Sequence, residues 1–175
     1  MISKREAEKG KAHIKQFLLE LGGKILNENE NDNLWSLTAQ MGNFTVVFNH
    51  KAGLSSAVAI FPVNIQDEAL LTPINVALND PKKKAQFTLG LHSVLTTPVT
   101  TYSFNVTEGK FKGFSVVKTI FPFHSVFSIK ELDSVLNAVI SIGNLGIIYL
   151  QTATGENGMQ QKISERVPSQ DGMFA

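Results

Sequence analysis

Histidine is the side chain best suited to proton transfer or metal binding near neutral pH, and the chain has four histidines, each isolated in the sequence: His13, His50, His92 and His124. No two of them have the i, i+4 spacing of a helical zinc site, and no H-E-x-x-H motif occurs. The chain has no cysteine, which excludes disulfides, thiolate metal ligands and cysteine nucleophiles. We therefore predict no catalytic residue, no metal ligand and no bound cofactor.

Other motifs that carry chemistry are also missing or incomplete. The segment Gly113-Phe114-Ser115 lacks the second glycine of a nucleophile elbow, and the sequence has neither a Walker A motif nor a G-x-G-x-x-G motif. With 16 basic and 15 acidic residues the net charge is +1, so no overall field attracts nucleic acid or an acidic membrane. We expect a partner of neither kind.

The 175 residues suffice for one domain, and an apolar share of 43% with a charged share of 18% excludes general disorder. We expect a domain over residues 1–154 and a flexible tail over 155–175, where Gly, Asn, Gln, Ser and Glu dominate. No apolar signal segment follows Met1, and the apolar stretch 135–150 is shorter than a spanning helix. These features predict a cytoplasmic protein.

Two capping boxes predict the first and last helices of this domain. Ser3 with Glu6 begins a helix whose apolar stripe ends near Gly22, and Ser128 with Glu131 begins a long apolar helix. Gly143 and Gly146 lie inside the last helix, and each costs about 1 kcal/mol of helix stability relative to alanine. Either these glycines pack closely against another element, or the helix breaks at Gly143.

Five strands and two central helices are predicted between these ends. Alternating or apolar runs predict strands at 34–40, 44–50, 56–63, 100–106 and 111–121, whereas the polar run 27–33 predicts a loop. A helix at 66–79 is expected to begin or kink at Pro73, and the stretch 83–95 fits a helix or a strand, with the Asp80-Pro81 cap favouring a helix. The order α-β-β-β-α-α-β-β-α predicts an α+β two-layer domain, with an antiparallel sheet of about five strands and helices on one face.

Apolar surface is the feature from which we infer a function. The chain has 12 phenylalanines, and neither 85–107 nor 134–155 contains a charge. A small two-layer domain cannot readily bury both segments, so we expect a contiguous apolar interaction surface. Its candidate residues lie in the third and last helices and the segment before the last one: Phe87, Leu91, Phe123, Phe127, Val139, Gly143, Gly146 and Ile147.

The element order resembles the type III secretion chaperone-like fold, as used by the YbjN-like family and related small archaeal and bacterial domains of unknown function. The leading helix, the hairpins over 34–63 and 102–121, and the run 127–132 that opens the last helix carry the resemblance, which covers about residues 3–152. It implies homodimers, no cofactor, and binding of extended protein segments in the chaperone members.

Three functional hypotheses follow. The first is a non-enzymatic protein-binding or chaperone-like domain, working as a homodimer with an unknown protein partner through its sheet, last helix and strand edges. The second is a small-molecule-binding domain with an apolar pocket between sheet and helices, with Trp35, Tyr102 or a histidine at its mouth. An enzyme of unknown type is the third and weakest alternative.

Overall fold

This computed structural model describes residues 2–31 and 34–153. These residues fold around a single antiparallel sheet. Four helices and six strands lie within these residues. The helices are α1 (Lys4–Glu20), α2 (Glu68–Leu78), α3 (Pro81–Leu95) and α4 (Ile129–Ala153). The strands are β1 (Lys24–Asn31), β2 (Leu34–Met41), β3 (Phe44–Lys51), β4 (Ala57–Asn64), β5 (Thr101–Thr107) and β6 (Lys110–Ile120).

The strands are ordered β1-β2-β3-β4-β6-β5, and every neighbouring pair is antiparallel. One face of this sheet is buried: Leu37, Phe48, Ala59 and Phe114 are fully enclosed and form one cluster with residues of all four helices. The side chains that alternate with them along β2, β3 and β4 stay at least partly exposed. The predicted α+β fold, with helices on one face of an antiparallel sheet, is confirmed.

The sheet has six strands, and the predicted loop over 27–33 is wrong for its described residues, because β1 extends to Asn31. The composition of β1, KILNENEN, has little intrinsic preference for a strand. It pairs with β2 along its whole length, and its glutamates reach Lys11 and Lys15 of α1. Contacts distant in sequence therefore override the local preference.

The helix starts follow the capping residues. Both reciprocal hydrogen bonds of the Ser3–Glu6 capping box are formed. Asp67 caps α2, so this helix begins before Pro73 and contains it, and the predicted alternative of a start at the proline is wrong. Asp80 accepts hydrogen bonds from two backbone N–H groups of α3, and the ambiguous stretch 83–95 is helical.

The last helix, α4, runs unbroken for 25 residues through both of its internal glycines. A Cβ atom on Gly143 would overlap the ring of Phe61, and one on Gly146 would overlap the ring of Phe114 and lie 2.9 Å from Leu95 Cδ2. Each glycine thus lets an aromatic ring of the sheet pack against the helix backbone. The glycines pack within the molecule, which settles the alternative that the sequence left open.

This packing predicts the effect of Gly143→Ala. Helix propensity alone favours alanine by about 1 kcal/mol. Overpacking against the buried Phe61 ring costs about 1–3 kcal/mol, so we expect a net loss of about 1 kcal/mol in the free energy of unfolding. Urea denaturation measures the difference. The control is Ser141→Ala on the exposed side of α4, which we expect to change stability by less than about 0.5 kcal/mol. A Gly143→Ala protein more stable than the parent would contradict the packing argument.

Candidate functional site

The eight residues predicted to form an interaction surface lie in the core or against it. Leu91 and Val139 are fully enclosed, Phe127 is 7% exposed, and Gly143 and Gly146 are buried. The other three are partly buried and pack on the core: Phe87, Phe123 and Ile147. The prediction that these eight residues form a surface open to a partner is therefore wrong. An apolar helix in a two-layer domain turns its most apolar side to the sheet, and the sequence pattern does not show how much of that side is covered.

Exposed apolar side chains lie elsewhere. On α4, Leu145 and Ile148 are each 48% exposed, and no charged residue occurs from Ser134 to Ala153. By length and mean hydropathy α4 could also cross a membrane, but its buried side packs on the sheet, and core helices of soluble proteins pass the same test. Further large apolar side chains are exposed singly, among them Leu19, Leu89 and Val126.

The sheet face opposite the helices presents a continuous surface with few charges. One row of directly opposed residues crosses five strands: Thr38, Val47, Ile60, Val117 and Thr101. A parallel row contains Ser36, Asn49, Val58 and Thr119. We call the outward side chains of β2 to β6 the open face: Leu34, Ser36, Thr38, Gln40, Thr45, Val47, Asn49, Lys51, Val58, Ile60, Pro62, Asn64, Thr101, Ser103, Asn105, Gly113, Ser115, Val117 and Thr119.

Ionisable side chains on this side lie at strand ends: Lys51 ends β3, and Lys110 begins β6 opposite the buried Phe111. The centre carries the β-branched side chains of Val47, Val58, Ile60 and Val117, each of which is partly exposed. Side chains directly opposed across strands lie about 5 Å apart. The four therefore form one contiguous apolar patch bordered by hydroxyl and amide groups.

Gly113 shapes one end of the open face. Its φ is +145°, and a Cβ there would overlap the carbonyl oxygen of Val63. Because Gly113 has no side chain, Asn105 on β5 reaches over β6 and donates to Asn64 Oδ1 on β4 at 2.9 Å. The two asparagines thus hydrogen-bond each other across the intervening strand, so one donor and one acceptor of their amide groups no longer need water as a partner.

The second candidate site is a cavity on the helix side of the sheet, at the start of α1. Its volume is about 140 Å³, and it lies between the first turn of α1 and the neighbouring ends of β1, β2 and β3. Apolar residues and four titratable ones line it: Ile2, Ser3, Lys4, Ala7, Glu8, Glu30, Asn31, Leu34, Trp35, His50, Ala52 and Gly53.

Trp35 and His50 form the inner wall of this cavity. They are directly opposed on β2 and β3, are 4% and 3% exposed, and their rings lie 5.4 Å apart between centroids. The His50 ring also packs edge-on against Phe123, at 4.8 Å. His50 Nδ1 lies 3.0 Å from the carbonyl oxygen of Ser56. A carbonyl only accepts, so Nδ1 carries a hydrogen, and Nε2 of the neutral ring is an acceptor.

Among the described residues, neither Trp35 Nε1 nor His50 Nε2 has a hydrogen-bond partner, although both are buried. Buried polar atoms without partners are uncommon, because each costs about 1–3 kcal/mol. Sequence reasoning placed Trp35 or a histidine at the mouth of a pocket, and these two residues do line one. It also offered Tyr102, which lies elsewhere, against His92 and Phe104.

An ionic cluster ties α1 to β1 beside the cavity. Lys11 Nζ lies 2.9 Å from Glu28 Oε1 and also pairs with Glu30, and Lys15 Nζ lies 2.6 Å from Glu28 Oε2. Hydrogen bonds from Lys15 and then Lys11 lower the pKa of Glu28. Burial acts to lower the pKa of Lys11, but the hydrogen bonds with Glu30 and Glu28 outweigh it and raise that pKa.

No set of three histidine, aspartate or glutamate side chains converges as metal ligands within residues 2–31 and 34–153. The predicted tail over 155–175 lies outside the described residues. The structure thus offers two candidate places for function, the open face and the Trp35–His50 cavity on the helix side, which meet at Leu34.

These features define an α+β domain with one open sheet face. No protein-family model matches the sequence, and no curated protein matches it. Among solved structures, an uncharacterized protein from Methanothermobacter thermautotrophicus is similar, with a TM-score of 0.69 and 15% sequence identity. The match covers 83% of this chain and 99% of that one, and at this identity it shows the fold alone. The resemblance to the type III secretion chaperone-like fold stays a prediction.

The ionic cluster predicts a pH-dependent contribution to stability. The pKa of Glu28 is lower in the folded state than in the unfolded chain, so its contribution is present above the unfolded pKa and is lost as pH falls through the folded one. We expect Glu28→Gln to destabilise the protein by about 0.5–1 kcal/mol at pH 7, because the pair is partly solvent-screened. Urea titrations of both proteins at several pH values should show the difference begin to shrink near the ordinary glutamate pKa of about 4.3 and vanish only below the lowered pKa of the folded state.

Glu20→Gln is the matched control for this prediction, since Glu20 is exposed and its described partner is the uncharged Gln16. We expect this variant to change stability by less than about 0.5 kcal/mol at either pH. A Glu28→Gln difference that persisted unchanged at acidic pH would show that the carboxylate charge is not its cause.

Proposed function

We propose that this chain is a non-enzymatic protein-binding domain that works as a homodimer, in which the open face of one copy packs against the open face of the other. The observation that carries the proposal is the uncharged row of β-branched side chains that crosses five strands on the side without helices. The apolar side chains of this face are only partly buried in one copy, and a second sheet packed against them would remove the rest of their surface from water.

The near absence of charge favours a second copy over an unlike partner. A two-fold interface places the same patch on both sides, so every charge in it meets a like charge close to the axis. Lys51 lies at the end of β3, and the central patch of Val47, Val58, Ile60 and Val117 has no charge to repel its copy. The hydroxyl and amide groups around this patch both donate and accept, so they are also complementary to themselves.

The size of the open face is of the order that a dimer needs. Five strands about 4.8 Å apart, each presenting about 20 Å of length, give roughly 500 Å² in projection. The accessible area of a pleated surface exceeds its projection, and a standard interface buries about 800 Å² per partner. Two sheets packed face to face lie about 10 Å apart, with their side chains interdigitated.

The edges of the sheet are less suited to self-association. At one edge, β1 carries Lys24, Glu28 and Glu30, and charges on an edge strand discourage pairing with another strand. At the other edge, β5 has no charge, but its register shifts between Asn105 and Val106, which interrupts the ladder. The open face therefore remains the better candidate interface.

The test is Val47→Lys, which places a charge at the centre of the proposed interface. Analytical ultracentrifugation of the full chain over a range of concentrations should show a dimer for the parent. For Val47→Lys we expect the dissociation constant of the dimer to rise by about 100-fold or more, because an unpaired charge buried in an interface costs about 2–5 kcal/mol. A parent that is monomeric at all concentrations would overturn the proposal.

Two controls distinguish a disrupted interface from a misfolded variant and from an interface on the helix layer. Leu145→Lys puts the same charge on an exposed apolar position of α4, and we expect the dimer to persist. Loss of the dimer in Leu145→Lys, with persistence in Val47→Lys, would place the interface on the helix layer instead. Mixing Val47→Lys with Val47→Glu should restore dimers as mixed pairs, which a misfolded variant would not do.

A further inference from the structure

We propose that the outer side of α3 and α4 docks on an anionic membrane surface, so that the domain lies on the bilayer without crossing it. The inference goes beyond the homodimer and does not depend on it, because it concerns the helix layer and not the open face. Two observations on neighbouring helices carry it: exposed leucine and isoleucine side chains in stretches without charge, and a group of exposed lysines at one end of them.

The contact between α3 and α4 brings exposed apolar side chains of the two helices together. The Tyr149 hydroxyl of α4 donates to the carbonyl oxygen of Phe87 in α3 at 3.2 Å, and its ring lies where a Cβ on Gly90 would stand. Leu89, the one large exposed apolar side chain within α3, directly precedes Gly90 and is 72% exposed. Ile148 directly precedes Tyr149 and is 48% exposed. The two side chains therefore flank this contact on its solvent side.

We call Leu89, Leu145 and Ile148 the outer strip. Leu145 lies three residues before Ile148 on the same side of α4, and it is also 48% exposed. Neither 85–107 nor 134–153 contains a lysine, arginine, aspartate or glutamate. Uncharged exposed residues continue the same sides of the two helices: Gln86, Ser93, Ser141 and Thr152. The outer strip is thus an apolar area surrounded by hydroxyl and amide groups.

Three lysines border the outer strip at the first turn of α3. Lys82, Lys83 and Lys84 are exposed, and none of them forms an ion pair with another described residue. Lys82 lies two helical turns before Leu89, on the same side of α3. The carboxylate of Asp80 caps the α3 backbone, and with this one acid the segment 80–84 keeps a charge of +2. The positive end of the α3 dipole adds to the same local field.

Charge and shape together identify an anionic lipid surface as the occupant. The Tyr149 ring fills the seam between α3 and α4 at Gly90, so the outer strip projects on either side of a filled seam, whereas a partner helix needs a groove. Helices that lie on a membrane insert apolar side chains about 5–10 Å deep, while basic side chains beside them contact anionic headgroups. Lysine suits this arrangement, because its flexible stem carries the ammonium group to the headgroups.

The rest of the molecule limits how the membrane is bound. The net charge of +1 gives no overall attraction, so binding depends on the local group of lysines. The side of α4 that contains Gly143 and Gly146 packs on the sheet, so this helix contacts the membrane with its outer side alone. Each lysine near an anionic surface strengthens binding about fivefold, which corresponds to about 1 kcal/mol.

The experiment mixes the full chain with vesicles of phosphatidylcholine that contain about one-third phosphatidylglycerol, and flotation measures the bound fraction. We expect binding to these vesicles and at least about tenfold weaker binding to vesicles of phosphatidylcholine alone. Raising the salt concentration from about 0.1 M to about 1 M shortens the Debye length from about 10 Å to about 3 Å, and it should release most of the protein.

Lys82→Gln combined with Lys83→Gln tests the basic part of the surface. We expect this variant to bind the anionic vesicles about 25-fold more weakly, at about fivefold per lysine. The matched control is Lys4→Gln combined with Lys9→Gln, which removes the same charge from exposed positions of α1. We expect the control to weaken binding by less than about fivefold, because these charges lie outside the docking surface.

Leu89→Ser tests the apolar part of the surface. We expect it to weaken binding about tenfold, because an inserted leucine side chain leaves water and a serine does not. Leu19→Ser, at a position of α1 that is 57% exposed, is the matched control and should leave binding unchanged. All four positions of the lysine variants and both leucines are exposed, and circular dichroism of each variant checks that the fold is kept.

Three outcomes would overturn the inference. The first is a full chain that binds neither kind of vesicle, which would leave the outer strip to a protein partner. The second is equal binding to neutral and anionic vesicles. The third is a Leu89→Ser protein that binds as the parent does, which would mean that the outer strip does not enter the membrane.

Val47→Glu separates this inference from the homodimer. Two copies joined through their open faces point their helix layers away from each other, so the dimer should also cross-link anionic vesicles and raise the turbidity of the suspension. The Val47→Glu protein should bind these vesicles without cross-linking them. A parent that binds without cross-linking would speak against the dimer and still support the membrane surface.

Discussion

The close approach of α4 to the sheet is the constraint on which the other features of this domain depend. Gly143 and Gly146 allow the rings of Phe61 and Phe114 to rest against the helix backbone. Because α4 lies so close, its long apolar side is enclosed, and α3 and α1 pack beside it, whereas α2 packs on α3 and β6. Leu91 and Leu95 of α3 are fully enclosed against the same cluster, while α1 reaches it through Ile14 and Leu18. A bulkier residue at either glycine would raise α4 and loosen all these contacts together.

Placing every helix on one face gives the sheet two unlike surfaces. The inner face has the large side chains, and the outer face has small β-branched and hydroxyl side chains with Lys51 at its rim. Sheets with one solvated face usually show a clear alternation of apolar and polar residues. Here the outer positions of β4 are Val58, Ile60, Pro62 and Asn64, and three of these four are apolar. This departure from alternation is the physical basis for assigning an interface to the open face.

Much of the fold follows from local signals in the sequence, and the errors occur where distant contacts decide. Ser3 and Asp80 fixed helix starts because a cap is a local interaction, and the strand order of the hairpins follows from short turns. By contrast, β1 is held by pairing with β2 and by lysines of α1, neither of which its own Asn-rich sequence reveals. The expected interaction surface was wrong for a related reason: an apolar stripe shows that a side is buried but not by what. Leu91 and Val139 are buried by this chain itself.

The candidate site was predictable only in part. His50 continues the alternation Phe44, Val46, Phe48 on β3, and this pattern alone places it on the buried face. Trp35 begins the matching alternation on β2. What the sequence does not show is their register, because the pairing of Trp35 with His50 depends on the length of the turn at Gly42. A slip of one strand by one residue would move one of the two rings to the open face and separate the pair. The turn that sets the register therefore also decides that Trp35 and His50 lie on the side of the sheet opposite the open face.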